Sequence, residues 1–443
     1  TVVASSFSNT NFTPKKNFSQ TEKKKQIQFT KPEPTEEFTE SDSIAVNFFN
    51  HHPEANIDIR PIDEKIQDID TLLMESQIDD ENLLELLMQK KALCEIFYGE
   101  NKFFYMTEDR EMAYIEDTGN HDVRTEGMSY GMMMCVQTDH KKEFDFLWKF
   151  ARTYMYIDYG RNTGYFAWSV ACDGMKNADS PAPDGEEFFA MALLFASHRW
   201  GDGEGIFCYS KEAKKLLYTC IHKEDNGIGR NMWDMDNYLI RFVPECDFTD
   251  PSYHLPHFYR LFALWGSKED SSFWKKAAEA SREYLQKACD SITGLSPEYS
   301  YFDGTPYEKQ EIFGRHDWFY SDAYRTIANI ALDNIWPGME DDNYKLWSSC
   351  TASKLQHFFD NKYKEGFDIV YTTDGRETEE KVLHPAGLLA TVAQASLISS
   401  DISALKWVHI FWNMPMRTGE RRYYDNCLYM FAVLALSGQY RIW

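Results

Sequence analysis

The chain of 443 residues has no CxxC pair, no apolar run approaching the ~18 residues of a membrane-spanning helix, and few cations for its acidity. Each absence removes a class of function. Nine cysteines, at 94, 135, 172, 208, 220, 246, 289, 350 and 427, are dispersed and odd in number. They read as small buried thiols in a reducing compartment rather than as a disulfide framework. That usage favours the cytoplasm, whereas a processed start at "TVVASS" would fit the periplasm. Without a long apolar run, no membrane insertion is expected. Lysine plus arginine number 46 against 70 aspartates plus glutamates, a formal charge of −24. Such a field repels polyanions, so nucleic acid is not an expected partner and a neutral ligand is.

Metal and cofactor motifs are lacking too. "YHLPH" sets two histidines three apart across a proline with no HExxH. "DMDNY" starts like a calcium loop but has Tyr238 at its fifth position and no following glycine. "GDGEGI" is not GxGxxG and follows a helical pattern. No metal and no cofactor are expected, and a monomer is the favoured state.

What is abundant is aromatic. Phe, Tyr and Trp make up 16% of the chain, which fits either an aromatic core or a cleft in which rings stack on the apolar faces of a ligand. Residues 1–80 begin with polar, weakly periodic segments such as "PKKNFSQTEKKKQ" and read as an N-terminal tail or arm, partly helical towards its end. From 81 to 443 apolar residues recur at helical spacing in about a dozen segments, among them "FDFLWKFARTYMYI", "EEFFAMALLFASHRW" and "YYDNCLYMFAVLALSG". Two segments, "EEFFAMALLFA" and "LYMFAVLALSG", are apolar nearly all round and must be buried on both sides. Long Asp-, Gly-, Pro- and Tyr-rich connections link them. Helical hairpins with loops gathered at one end predict an all-α (α/α)6 barrel carrying a substrate cleft, or an irregular bundle.

Three acids stand out. Glu126 opens the apolar helix "EGMSYGMMM", where methionines and Tyr130 would desolvate it and keep it protonated; a first-turn acid also simply complements a helix dipole. Asp184 precedes a buried helix in "SPAPDGEEFF", as an N-cap would. Asp322, in "HDWFYSDAYRTIANI", has Arg325 three residues on, which would keep it ionised as a base must be or form a structural ion pair. A donor and a base are what hydrolysis of a sugar linkage needs.

The motifs "DTGNHDVRTEGMSYGMM", "SPAPDGEEFFAMALLFASHRWGDGEGIF", "DPSYHLPHFYRLFALW", "FYSDAYRTIANIALD" and "RRYYDNCLYMFAVLALSGQYRIW" resemble glycoside hydrolase family 8, in order from about 95 to 443. Within it they are most similar to exo-oligoxylanases that release xylose from the reducing end. The resemblance implies an (α/α)6 barrel and hydrolysis with inversion of xylo-oligosaccharides. It also implies Glu126 as general acid, Asp322 as general base, and Asp184 holding the sugar before the cut. It further implies that Leu383, His384 and Pro385 form a loop blocking the cleft beyond the first leaving-side sugar, with His384 on that sugar's free anomeric hydroxyl. Trp168 is expected as a stacking platform and Arg325 as an orienting partner. Tyr253, His257 and Tyr423 are expected along the cleft or in the core. The alternatives are an endo-acting relative cutting xylan, β-glucan or chitosan, a non-catalytic carbohydrate-binding protein, and a polysaccharide lyase.

Overall fold

A computed structural model describes residues 91–310 and 314–443; the expected arm over 1–80 lies outside them. Twelve helices occur among the described residues. In chain order they are α1 (residues 91–97), α2 (Thr125–Gln137), α3 (Lys141–Phe150), α4 (Pro183–Trp200), α5 (Tyr209–His222) and α6 (Pro256–Trp265). There follow α7 (Ser271–Ala288), α8 (Tyr324–Ile335), α9 (Asp342–Asp360), α10 (Pro385–Gln394), α11 (Ala404–Asn413) and α12 (Arg422–Leu436).

Burial sorts them into two layers. Every residue of α2 is buried, as is all of α10 except its first residue, while α11 buries only Trp407 and Phe411. The well-buried set α2, α4, α6, α8, α10 and α12 packs neighbour on neighbour, and α12 returns to touch α2, closing a ring. The odd-numbered α3, α5, α7, α9 and α11 each pack outside the preceding inner helix. This is the (α/α)6 barrel, one of the two arrangements the spacing left open and the one the family resemblance implied. Because each inner helix is followed by an outer one running back, all six inner helices present their N-termini at the same end.

The sequence showed almost no strand pattern, yet seven short strands exist among the described residues. They are β1 (Phe104–Met106), β2 (Ala113–Asp117), β3 (Asp122–Arg124), β4 (Ser169–Val170), β5 (Trp318–Phe319), β6 (Ile369–Thr372) and β7 (Glu377–Lys381). None exceeds five residues, too short for an alternation to register. They form two antiparallel sheets, β1-β2-β3-β4 and β5-β6-β7. Their role is to aim loops. The register Arg124↔Ser169 sets Trp168 beside the start of α2, where the Thr125 N–H donates to the Trp168 carbonyl at 3.0 Å. Likewise β5 pairs with β6 just before Asp322, and β7 leads into His384 at the start of α10.

Candidate active site

All three carboxylates singled out in the sequence meet at the N-terminal end of the inner ring. Glu126 is the second residue of α2, Asp184 the second of α4, and Asp322 lies in a short 3-10 turn that runs into α8. Two glycines permit the crowding. A Cβ on Gly127 would stand 2.8 Å from the Tyr423 ring, and one on Gly185 would stand 2.4 Å from Thr125 Cβ. Any larger residue would push Tyr423 off Glu126, or α4 off α2. Ser321, just before Asp322, has φ of 25°, a strained conformation that only surrounding structure can hold.

Arg325 organises the site. Its Nη1 donates to Glu126 Oε2 at 3.0 Å, to Tyr130 Oη at 3.0 Å and to Asp184 Oδ2 at 3.2 Å. Its Nη2 stands 3.4 Å from Asp322 Oδ1 and 3.6 Å from Asp250 Oδ2. Burial works against the Arg325 charge, but Tyr130, Tyr424, Asp322 and Glu126 around it hold its pKa above the ordinary arginine value. The expected Arg325–Asp322 pair is therefore one spoke of a larger hub. Glu126 and Asp322 sit on different nitrogens of one guanidinium.

The carboxylates differ in environment. Burial pushes Asp184 up to about 7; the neighbouring charges of Glu126 and Asp322 act in the same direction and Arg325 opposes them. Asp250 is likewise raised by burial against the pull of Arg325. On the far side of Glu126, the Tyr423 hydroxyl donates to Oε1 at 2.7 Å. Burial and the adjacent Glu126 keep that phenol protonated, so it stays a donor. Behind Asp322, Glu298 accepts the Asp322 backbone N–H at 3.3 Å and pairs through its other oxygen with His316 Nδ1 at 2.6 Å.

A cleft of about 460 Å³ runs over these groups, lined by Glu126, Asp184 and Asp322 and walled by Trp168, Phe242, Tyr253 and Tyr299. The Arg124 guanidinium covers the Trp168 ring at 5.4 Å. Tyr253 reaches the cleft wall with Arg325 over its ring at 5.6 Å. His257 is a correction. It is not among the residues lining the cleft, but lies within α6 against Phe258 and Trp336, with both ring nitrogens buried and without partners. Burial pushes its pKa well below 6.5, so it is a neutral core histidine.

Beyond Tyr423 lies a smaller recess of about 220 Å³, lined by Asp117, Asn120, His384, Arg421, Tyr423 and Tyr424. His384 is buried there, flanked by half-buried Leu383 and Pro385. Its Nδ1 lies 2.9 Å from Asp425 Oδ2, and its Nε2 is buried without a partner. Sequence reasoning missed Asp250, Glu298 and Asp425. For Asp250 the signal was present, an aspartate directly before proline and a helical turn, where it caps Ser252 N–H at 2.6 Å. Glu298 and Asp425 carry no local signal.

Chemically, the arrangement offers buried carboxylates lining one cleft. Among the described residues no group of His, Cys, Asp and Glu is arranged to hold an ion. The family described as Glycosyl hydrolases family 8 matches residues 82–438. A reducing end xylose-releasing exo-oligoxylanase of Halalkalibacterium halodurans is 54% identical over 364 residues, covering 81% of this chain and 91% of that one. A protein of the same description from Bifidobacterium adolescentis is 51% identical, covering 78% and 90%. Among solved structures, a mutant reducing-end-xylose releasing exo-oligoxylanase complexed with xylobiose superposes with a TM-score of 0.75 at 49% identity, covering 88% of this chain and 96% of that one.

Proposed function

The chain belongs to glycosyl hydrolase family 8, and from that premise we propose that it removes single xylose units from the reducing end of β-1,4-xylo-oligosaccharides, with inversion. The observation that carries the proposal is the pairing of two compartments. The carboxylate cleft, lined by Glu126, and a small recess, lined by Tyr423 and His384, are joined by the hydrogen bond from the Tyr423 hydroxyl to Glu126. The single sugar beyond the bond to be cut lies, in this reading, against that recess.

In this reading Glu126 donates its proton to the glycosidic oxygen, and the C1–O bond breaks as that oxygen takes the bonding electrons. Asp322, across the cleft, accepts a proton from the water that attacks C1 from the opposite face. Attack on one face and departure from the other inverts the configuration, so a β-linkage yields an α-product. Asp184, on the same arginine as Glu126, holds hydroxyls of the sugar on the non-leaving side. Tyr423 keeps the Glu126 carboxyl turned towards the leaving oxygen, and Trp168 supplies a wall against which a sugar ring packs. The endo-acting alternative would need a cleft open beyond His384, and the buried His384, tied to Asp425 between half-buried Leu383 and Pro385, supports the closed one.

Time-resolved NMR of xylotriose digestion tests this directly. Xylose and xylobiose should appear together, with the new reducing end first seen as the α-anomer. The trimer reduced to its alditol should survive. Asp322→Asn should lower turnover by roughly 10²–10⁴-fold, the usual worth of a general base. Hydrolysis unchanged by that substitution, or rapid cleavage of the alditol, would end the proposal.

A further inference from the structure

Asp425 is the hydrogen-bond partner of the His384 ring, and its own surroundings are specific. Its Oδ2 faces His384 Nδ1 at 2.9 Å, and its Oδ1 accepts the Gly387 N–H at 2.7 Å. Arg417 Nη1 donates both to Asp425 Oδ2 and, at 2.7 Å, to the Leu383 carbonyl. One aspartate on α12 thus ties down the histidine and the first turn of α10, while the arginine ties the residue before the histidine to the same carboxylate. The Asp425 side chain is fully buried and His384 nearly so, so water does not compete for these bonds.

A carboxylate oxygen accepts hydrogen bonds and cannot donate when ionised. Facing the Asp425 oxygen at 2.9 Å, Nδ1 carries a hydrogen, which in the neutral ring is its only one. Nε2 then presents a lone pair. That atom is buried and without a protein partner, and its residue lines the recess next to Tyr423. A buried acceptor left empty is costly, so the recess is built to receive a hydroxyl donor at this point.

We infer that Asp425 is a specificity-determining positioning residue: by fixing the Nδ1–H tautomer of His384, it makes Nε2 an obligatory acceptor for the free hydroxyl of the leaving sugar. The inference rests on the function proposed above and deepens it. Arg417 holds Asp425 against the loop, so histidine and wall move as one body. A ligand whose sugar lacks that hydroxyl leaves Nε2 empty and is rejected for that reason, independently of steric blockage by the loop.

The test uses two substrates and a spectrum. Xylotriose is compared with the same trimer ending in 1,5-anhydroxylitol, in which hydrogen replaces the anomeric hydroxyl and no bulk is added. The wild type should prefer xylotriose in kcat/KM by roughly tenfold or more. Asp425→Asn can still accept from Gly387 N–H while its amide donates to His384 Nδ1, which reverses the tautomer. The hydroxyl then accepts from Nε2–H and its own hydrogen loses its acceptor, so the preference should fall several-fold, whereas in His384→Ala it should collapse towards unity, and the double variant should lose no more than His384→Ala alone. Nitrogen NMR of the wild-type imidazole, which needs no variant to fold, should show the hydrogen on Nδ1. The inference is overturned by a hydrogen on Nε2 in the wild type, by an Asp425→Asn enzyme that keeps the preference, or by single losses that multiply in the double variant. Wild-type enzyme that leaves xylotriose intact would sink the function itself, and the spectrum would still decide the tautomer.

Discussion

Replacing Arg325 by methionine tests the organisation of the site through stability rather than turnover. The substitution keeps an unbranched chain in the space but removes the cation touching Glu126, Asp184, Asp250 and Asp322. Breaking one side of a buried ion pair costs about 3–5 kcal/mol, and here several carboxylates lose one partner, so about 5 kcal/mol is expected near pH 7.5. With ~2.1 cal/mol/K of unfolding entropy per residue over about 350 residues, Tm falls by roughly 7 °C. The pH dependence is more telling. Carboxyls stripped of their cation hold protons more tightly folded than unfolded, so above about pH 4 the folded variant binds more protons than its unfolded chain. Its stability is then highest below the unfolded carboxyl pKa and is lost as pH rises towards the folded values. Asp184 is already pushed up to about 7 with the arginine present, so the window extends to neutrality or beyond. Calorimetry at about pH 5 and pH 7.5 should show a smaller Tm deficit at the lower pH. An equal deficit at both, or a larger one at pH 5, would refute the claim that Arg325 compensates buried negative charge.

Tyr423→Phe removes the hydroxyl that donates to Glu126 at 2.7 Å. An ordinary hydrogen bond is worth ~0.5–1.5 kcal/mol, so kcat/KM on xylotriose should fall roughly 2–10-fold while Tm stays close to wild type. Trp168→Ala removes a wall of the cleft, and by analogy with stacking on bases it should cost about 1–3 kcal/mol, read as a rise in KM for xylotriose. Glu187 is fully buried, accepts from the Tyr259 hydroxyl and leaves Oε2 unpartnered; burial pushes its pKa well above the usual range. It therefore takes up a proton on folding, and its contribution to stability is lost as pH rises from about 4. Glu187→Gln should flatten that loss, gaining Tm relative to wild type between pH 5 and pH 8, as measured by thermal melts.

The barrel was legible because inner and outer helices carry different patterns. "EEFFAMALLFA" is apolar on all sides, and in α4 it is buried throughout; "SSFWKKAAEASREYLQKAC" has one apolar stripe, and α7 sits outside the ring. The acids were legible by a different route, since Glu126, Asp184 and Asp322 each stand at the start of an apolar helix, a local feature. The arginine hub was not. Arg325 was read with its near neighbour Asp322, but its bonds to Glu126 and Asp184 span 199 and 141 residues, and no spacing rule reports such contacts. Asp425 is similar, lying within "YYDNC" with nothing to suggest that it would meet a histidine 41 residues earlier. His257 failed in the opposite sense. It stands in the same motif as Tyr253, but four residues onward α6 turns its ring away from the cleft and into the core, so sharing a motif did not mean sharing a surface.

The common direction of the inner helices gives the site its charge balance. A chain of net charge −24 gathers Glu126, Asp184, Asp250 and Asp322 at one end with Arg325 among them, an arrangement that mutual repulsion opposes. Glu126 and Asp184 are in first turns, Asp250 caps the turn before α6, and Asp322 sits ahead of α8. Asp184 and Asp250 accept backbone N–H groups there, from Gly185 at 3.0 Å and Ser252 at 2.6 Å, and all four acids stand at the positive end of a helical turn, worth about 0.3–1 kcal/mol per acid and up to about 2 where partly buried. Summed over four acids, this is comparable to one buried ion pair, so the fold supplies about as much positive field as the arginine does. Reversing the direction of the inner helices would aim carbonyls at the same carboxylates, which is why in this barrel the acids cluster at the N-terminal end of the ring.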